Sequence, residues 1–245
     1  MKMSKLKTVI RKFLNRIYER VYIPKVYKYF RGKVDVVNEI TQFHKLYYNS
    51  WGEDATWRNM YWLGTPILKN PFDLWIFQEI IHNLKPHVII ECGTKYGGSA
   101  LYLASICDME DKGKVITIDI EDQKNKPQHK RIHYLLGSSL SEEIHNKIDN
   151  LIDKDDNILV ILDSLHTKDH VLEELINYSK YVKKGGYIIV EDTHLNGYPI
   201  APFFGSGPME AVMEFLKINK DFQIDKNKEK FLMTWNPNGY LKKVK

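Results

Sequence analysis

From residue 87 onward the chain alternates between short unbroken apolar runs and stretches whose apolar residues recur every three or four positions. The unbroken runs are "HVIIEC" (87–92), "KVITIDI" (114–120), "RIHYLLG" (131–137), "NILVILD" (157–163) and "GYIIVED" (186–192). Runs of this length without polar alternation predict strands buried on both faces, as in a parallel sheet. Helical spacing fills the gaps over 99–107 and 170–182, and Lys183, Lys184, Gly185 and Gly186 end the second of these helices. Pro71 and Asp73 mark an earlier helix start, with Phe72, Trp75, Ile76, Ile80 and Ile81 as its apolar stripe. The tail segments "FQIDK" and "KFLMTWNPNGYLKKV" predict two more strands joined by a short charged turn. The expected class is α/β: a doubly wound, mostly parallel seven-stranded sheet with an antiparallel C-terminal edge hairpin.

The first part of the chain differs from the rest. Residues 1–34 carry eleven Lys or Arg against Glu19 alone, a balance of +10 within a chain of net charge +5, so the remainder carries about −5. Leu6, Ile10, Phe13, Leu14, Ile17 and Val21 recur at helical spacing between basic residues, which predicts a basic amphipathic helix. Its apolar residues are too dispersed for the core of a signal peptide. Packing on its own domain or on a second copy of the chain is the first expectation, contact with an anionic membrane surface the second; no nucleic acid is expected. The expected boundaries are a helical extension over 1–55 and one catalytic domain over 56–245. With 43% hydrophobic and 27% charged residues the composition is that of a soluble protein. Cys92 and Cys107 fit neither a disulfide framework nor a zinc cluster, so the expected setting is the cytoplasm, with peripheral contact at the inner face of the membrane left open.

Candidate chemistry lies at the ends of the strands. The first strand runs into "ECGTKYGGSALYLA", where Gly93, Gly97 and Gly98 allow a tight turn and Ser99 can cap the following helix. The spacing is not that of a dinucleotide-binding loop, and Glu91 would repel a pyrophosphate. A cationic or zwitterionic ligand suits it better, and S-adenosylmethionine, with a sulfonium and an amino group, is of that kind. Asp119, ending the second strand, is placed to accept hydrogen bonds from ribose hydroxyls. Ser138 and Ser139 after the third strand either meet an adenine edge or are solvated turn residues.

The fourth strand ends in "LDSLHTKDH" and the fifth in "VEDTH". If those strands are neighbours, Asp163, Glu191 and Asp192 converge on one crevice. Three carboxylates repel one another unless a cation neutralises them, and oxygen ligands favour magnesium or manganese over zinc. His166, three residues past Asp163, has the chemistry of a general base toward a hydroxyl.

As a set, "IIECGTKYGGSALYLA", "VITIDI", "LDSLHTKDHV" and "VEDT" resemble the S-adenosylmethionine-dependent methyltransferase family of cephalosporin hydroxylases, rhamnosyl O-methyltransferases and macrolide sugar O-methyltransferases. The resemblance covers roughly residues 56–244, including "WLGTPILKNPFDL" and "GPMEAVMEFL". It implies a Rossmann-like methyltransferase sheet, magnesium on Asp163, Glu191 and Asp192, and His166 as base. It also implies that Glu91, Gly93 and Asp119 hold the cofactor, with Thr94, Gly97, Gly98, Ser99, Ser138, Ser139 and Asp163 as further candidate contacts. The expected reaction is magnesium-dependent methyl transfer to one of two vicinal hydroxyls of a sugar, glycan, lipid or glycosylated metabolite. Tyr198, Phe203 and Phe204 either stack on that acceptor or pack their own loop. Two alternatives stand beside it. A non-haem iron hydroxylase would need His-x-Asp, and none of the nine histidines has an acid two residues on. A membrane-surface adaptor on a degenerate methyltransferase fold would bind without catalysis.

Overall fold

The computed structural model describes residues 35–48 and 56–245. The basic segment 1–34 lies outside the described residues. The chain divides into two units, Met1–Phe43 and His44–Lys245. In the first, the Asp35 carboxylate accepts the Asn38 N–H at 3.1 Å and so caps the start of helix α1 (Val36–Tyr48).

The second unit begins with a tight hairpin, β1 (Tyr61–Trp62) and β2 (Thr65–Pro66), whose two turn residues Leu63 and Gly64 both have positive φ. Helix α2 (Pro71–Leu84) follows, with Asn70 as its N-cap accepting the Phe72 N–H at 3.0 Å and Pro71 in the first turn. The remaining elements are β3 (Val88–Cys92), α3 (Gly98–Met109), β4 (Lys114–Asp119), β5 (Ile132–Leu136) and α4 (Glu142–Asp149). After them come β6 (Ile158–Leu162), α5 (Lys168–Tyr178), β7 (Tyr187–Val190), α6 (Pro208–Ile218), β8 (Phe222–Ile224) and β9 (Tyr240–Lys243). Among the described residues no helix is long and apolar enough to cross a membrane.

The seven-stranded sheet has the order β5-β4-β3-β6-β7-β9-β8. Strands β3 to β7 are parallel; β9 runs antiparallel to both β7 and β8. Every residue of β3, β6 and β7 is buried, the consequence of helices on both faces. Alternation along the strands feeds two cores. Val88, Ile90 and Val160 pack with Ile144, Leu175, Tyr178 and Phe215, whereas Ile89, Leu159 and Ile161 pack with Ile76, Phe77, Ile80 and Leu103. The chain winds outward from β3 through β4 to β5, then returns to the other side of β3 as β6. That reversal opens a crevice at the carboxyl ends of β3 and β6, the usual ligand position in such sheets.

Three expectations change. The stripe of α2 is centred on Leu74, Ile76, Phe77, Ile80 and Ile81, while Trp75 is 59% exposed and donates to Glu79 at 3.1 Å. Five apolar residues are spread over more than one face there, and only those turned to the sheet are buried. Ser99 does not cap α3: Gly97 is the N-cap, and the Ser99 hydroxyl is spent on Glu91. The edge strands are antiparallel, but their connection is residues 225–239, not a short turn. Pro237 cannot donate to a ladder, and the Asp73 carboxylate draws Thr234 and the Trp235 N–H onto the start of α2.

Candidate active site

The crevice is built on one close approach. Asp163 continues β6 beside β3, its N–H donating to the Cys92 carbonyl at 2.8 Å, while Gly93 leaves β3 with φ of 101°. A Cβ on Gly93 would stand 1.9 Å from the Asp163 carbonyl oxygen, so no larger residue fits where the two strand ends part. Beside it, β6 and β7 pair Leu162 with Val190, and the Glu191 N–H donates to the Leu162 carbonyl at 3.0 Å. The acids of "LDSLH" and "VEDTH" are therefore neighbours, as their sequence positions predict. Asp192 has φ of 57°, in the left-handed region, and is held there by its N–H donating to Asn236 Oδ1 at 3.0 Å. That backbone turn sends Glu191 and Asp192 in different directions.

Asp192 goes with His166. The imidazole Nε2 lies 3.2 Å from Asp192 Oδ2 and 3.8 Å from Asp163 Oδ1, and one ligand atom from each of Asp163, His166 and Asp192 falls within 4.8 Å of the others. Glu191 goes with Lys69, whose ammonium meets Glu191 Oε1 at 2.5 Å and also binds Asp163 Oδ2. Burial would lower the Lys69 ammonium, but the charges of Asp163, Glu191 and Glu91 outweigh it and hold it above the lysine range. Burial and the Asp163 charge push the Glu191 carboxyl well up, against the pull of Lys69. Asp192 is also raised, by burial, with His166 opposing.

On the opposite wall, Asp119 ends β4. Its Oδ2 accepts the N–H groups of Thr94 (3.0 Å) and Lys95 (2.8 Å), and its Oδ1 that of Glu121 (3.0 Å), so it fastens the glycine loop as well as facing the crevice. Glu91 is fully buried, its oxygens engaged by the hydroxyls of Ser99 and Thr117, and burial raises its pKa. A cavity of about 690 Å³ joins the two walls. Of the candidate residues, Gly93, Thr94, Gly98, Ser99, Asp119, Ser138, Ser139, Asp163, His166 and Asp192 line it; Glu91, Gly97 and Glu191 stand behind the surface. The Ser139 hydroxyl donates to buried Glu174 at 2.6 Å, which leaves it an acceptor only.

A family model described as Rhamnosyl O-methyltransferase/CmcI matches residues 54–244. The chain belongs to this family. Rhamnosyl O-methyltransferase of Mycobacterium bovis is 35% identical over 207 residues, covering 82% of this chain and 83% of that protein. The protein of the same name from Mycobacterium leprae is 34% identical over 206 residues, covering 82% and 88%. A solved structure of CmcI with Mg and SAM shares the fold, with a TM-score of 0.59 at 21% identity over 79% of each chain.

In this member of the rhamnosyl O-methyltransferase/CmcI family, two parts of the site escape a reading of the sequence. Lys69 shows only as a lone lysine between apolar Leu68 and the capping Asn70. The other part is an aromatic wall beside Asp192. Tyr48 stacks on Trp57 with centroids 5.2 Å apart, and the edge of the same ring meets Trp235 at 5.6 Å and His194 at 5.2 Å. Tyr48, Trp57 and Trp235 line the cavity. They are scattered over three segments, and nothing local links them. Of the aromatic residues expected to arch over the crevice, Phe204 lines it, whereas Phe203 is 99% exposed and does not pack its own loop.

Proposed function

We propose that the protein transfers the methyl group of S-adenosylmethionine to a hydroxyl of a sugar or glycosylated metabolite, with magnesium at the strand-end carboxylates. The observation that carries this reading is one cavity with two chemically distinct walls. The Gly93–Thr94–Asp119 loop end offers backbone approach and a carboxylate, and Asp163, His166 and Asp192 cluster opposite it. The donor set fits a hard divalent cation: carboxylate oxygens dominate it, and it contains no thiolate. Asp163 and Asp192 would hold the ion, with Glu191 as the third carboxylate. When bound, magnesium would acidify a hydroxyl and S-adenosylmethionine would supply the methyl electrophile.

The chain's own residues do the rest. His166 Nε2, beside both carboxylates, takes the proton a hydroxyl loses at that cluster, and Asp192 stabilises the imidazolium so formed. The aromatic rings of Tyr48, Trp57 and Trp235 give the cavity an apolar wall, suited to the C–H face of a pyranose ring. The relatives' name, rhamnosyl O-methyltransferase, supports a sugar carrying vicinal hydroxyls as the acceptor. The hydroxylase alternative asks for two imidazoles in one cluster. Among the described residues the cluster holds one imidazole, His166, while His194 stacks on Trp235 and has its Nδ1 against the Trp235 carbonyl at 2.9 Å.

Calorimetric titration with S-adenosylmethionine and its demethylated product, in magnesium and in chelator, tests the reading. Both should bind, and NAD should not; equal or tighter binding of NAD would end it.

A further inference from the structure

Lys69 is 3% exposed and the one lysine among the described residues that is buried. It sits between β2 and α2, and its neighbour Asn70 fixes the backbone there. The Asn70 amide donates to the Met233 carbonyl at 2.5 Å, and its own carbonyl accepts the N–H groups of Asp73 and Leu74. From this anchored position the side chain reaches the ends of two adjacent strands and touches one oxygen each of Asp163 and Glu191.

Those are two of the three carboxylates proposed above for the divalent ion, and the inference rests on that reading. A magnesium ligand oxygen lies about 2.0–2.1 Å from the ion. Glu191 Oε1 already has an ammonium at 2.5 Å. Two positive centres on one carboxylate oxygen at such separations repel each other strongly in a buried site. Asp163 is different: its Oδ2 faces Lys69, its Oδ1 faces His166, and the residue already belongs to the cluster with His166 and Asp192. An ion can therefore reach Asp163 and Asp192 with Lys69 in place. Glu191 stands outside that cluster, held at Oε1 by the ammonium, so to reach the ion it must turn away from Lys69 and break that contact. The freed ammonium has room to move, because Lys69 lines the cavity. The lysine stem has four rotatable bonds to carry the charge there.

We propose that Lys69 is the resident counter-ion of the carboxylate cluster: it holds Asp163 and Glu191 together while no divalent ion is bound, and withdraws into the cavity as the ion takes Glu191. The cluster then never stands as uncompensated buried negative charge, and metal affinity is set by a competition between a divalent ion and a tethered monovalent one.

Lys69→Met, Lys69→Gln and the double variant Lys69→Met/Glu191→Gln test this in chelator-stripped protein, by calorimetric titration with magnesium chloride and by thermal melting in EDTA and in magnesium. Lys69→Met should bind magnesium at least tenfold more tightly than the wild type. It should melt lower in EDTA and recover in magnesium. Removing Glu191's charge as well should restore melting in EDTA toward the wild type and abolish the tightening. Lys69→Gln, which keeps a donor for one carboxylate, should fold in EDTA and still bind magnesium more tightly, so the result does not depend on recovery of the methionine variant. Unchanged or weaker magnesium binding in Lys69→Gln overturns the proposal, whatever happens to melting. If the wild type and every variant fail to bind magnesium at millimolar concentration, the metal centre itself falls and the proposal with it. Wild-type binding and methyl transfer with no response in the variants overturns the role of Lys69 alone.

Discussion

His166 stands against two carboxylates that belong to different strand ends, so the proposed function puts proton transfer and metal holding in separate side chains. Replacing His166 by Ala should lower turnover by roughly 10² to 10⁴, the range of general acid–base catalysis, with magnesium and cofactor binding retained. Single-turnover methyl transfer beside the two titrations checks this, and full turnover in the variant would make the histidine a bystander. Asp119 faces the crevice and also fastens the glycine loop, because the loop N–H groups of Thr94 and Lys95 converge on the same oxygen. Asp119→Ala should weaken cofactor binding by about 1.5–3 kcal/mol for the lost charged hydrogen bonds. It should also lower the melting temperature of the unliganded protein, which a residue acting on ribose alone would leave unchanged.

At the scale of elements, the first turn of α2 is pinned to the β8–β9 connection by one buried carboxylate. Asp73 accepts from the Thr234 hydroxyl, from the Trp235 N–H at 2.8 Å and from the Tyr240 hydroxyl at 2.7 Å. Burial nonetheless pushes its pKa up to about 6, with the three donors opposing. In the unfolded chain an aspartate titrates near ~3.9, so the folded state binds the extra proton between those values. The sign follows: this group's contribution to stability is full below about pH 4 and is lost as pH rises through about 6, a change on the order of 3 kcal/mol. Denaturant melts from pH 4 to 7 should show that fall in the wild type and a flatter profile in Asp73→Asn. Elements were legible in the sequence to different degrees for the same kind of reason. Continuous apolar strands such as 158–162 declare themselves, and the acids after them mark the crevice, because both signals are local. The buried face of α2 is legible in Ile76, Ile80 and Ile81 but not at its edges, since Phe72 and Trp75 are as apolar as the residues that turn inward. The β8–β9 connection was read as a short turn because its shape depends on Asp73, more than 150 positions away. Lys69 was not read as part of the site because its burial is decided by Asp163 and Glu191, which the chain supplies far later.

For the whole molecule, charge is divided along the chain, +10 in residues 1–34 and about −5 in the remainder. Deleting residues 1–34 should spare methyl transfer to a dissolved acceptor and reduce co-sedimentation with anionic vesicles, and added salt should weaken the wild type's binding. Unchanged sedimentation would remove the membrane from the account of that segment. The crevice itself is assembled from distant parts of the chain. The strand ends and His166 come from residues 91–192, but Asn236, which accepts the Asp192 N–H, and Trp235, which lines the cavity, lie in the connection to β9. Strand β9 also inserts between β7 and β8, so β8 has no sheet partner until β9 arrives. A ribosome therefore finishes Asp192 more than forty residues before it makes the amide that fixes it. During that interval the parallel sheet can place Asp163 and Glu191, but Asp192 still lacks the amide that holds its turn. The last of the clustered acids is thus fixed late in synthesis, by the connection that leads into β9.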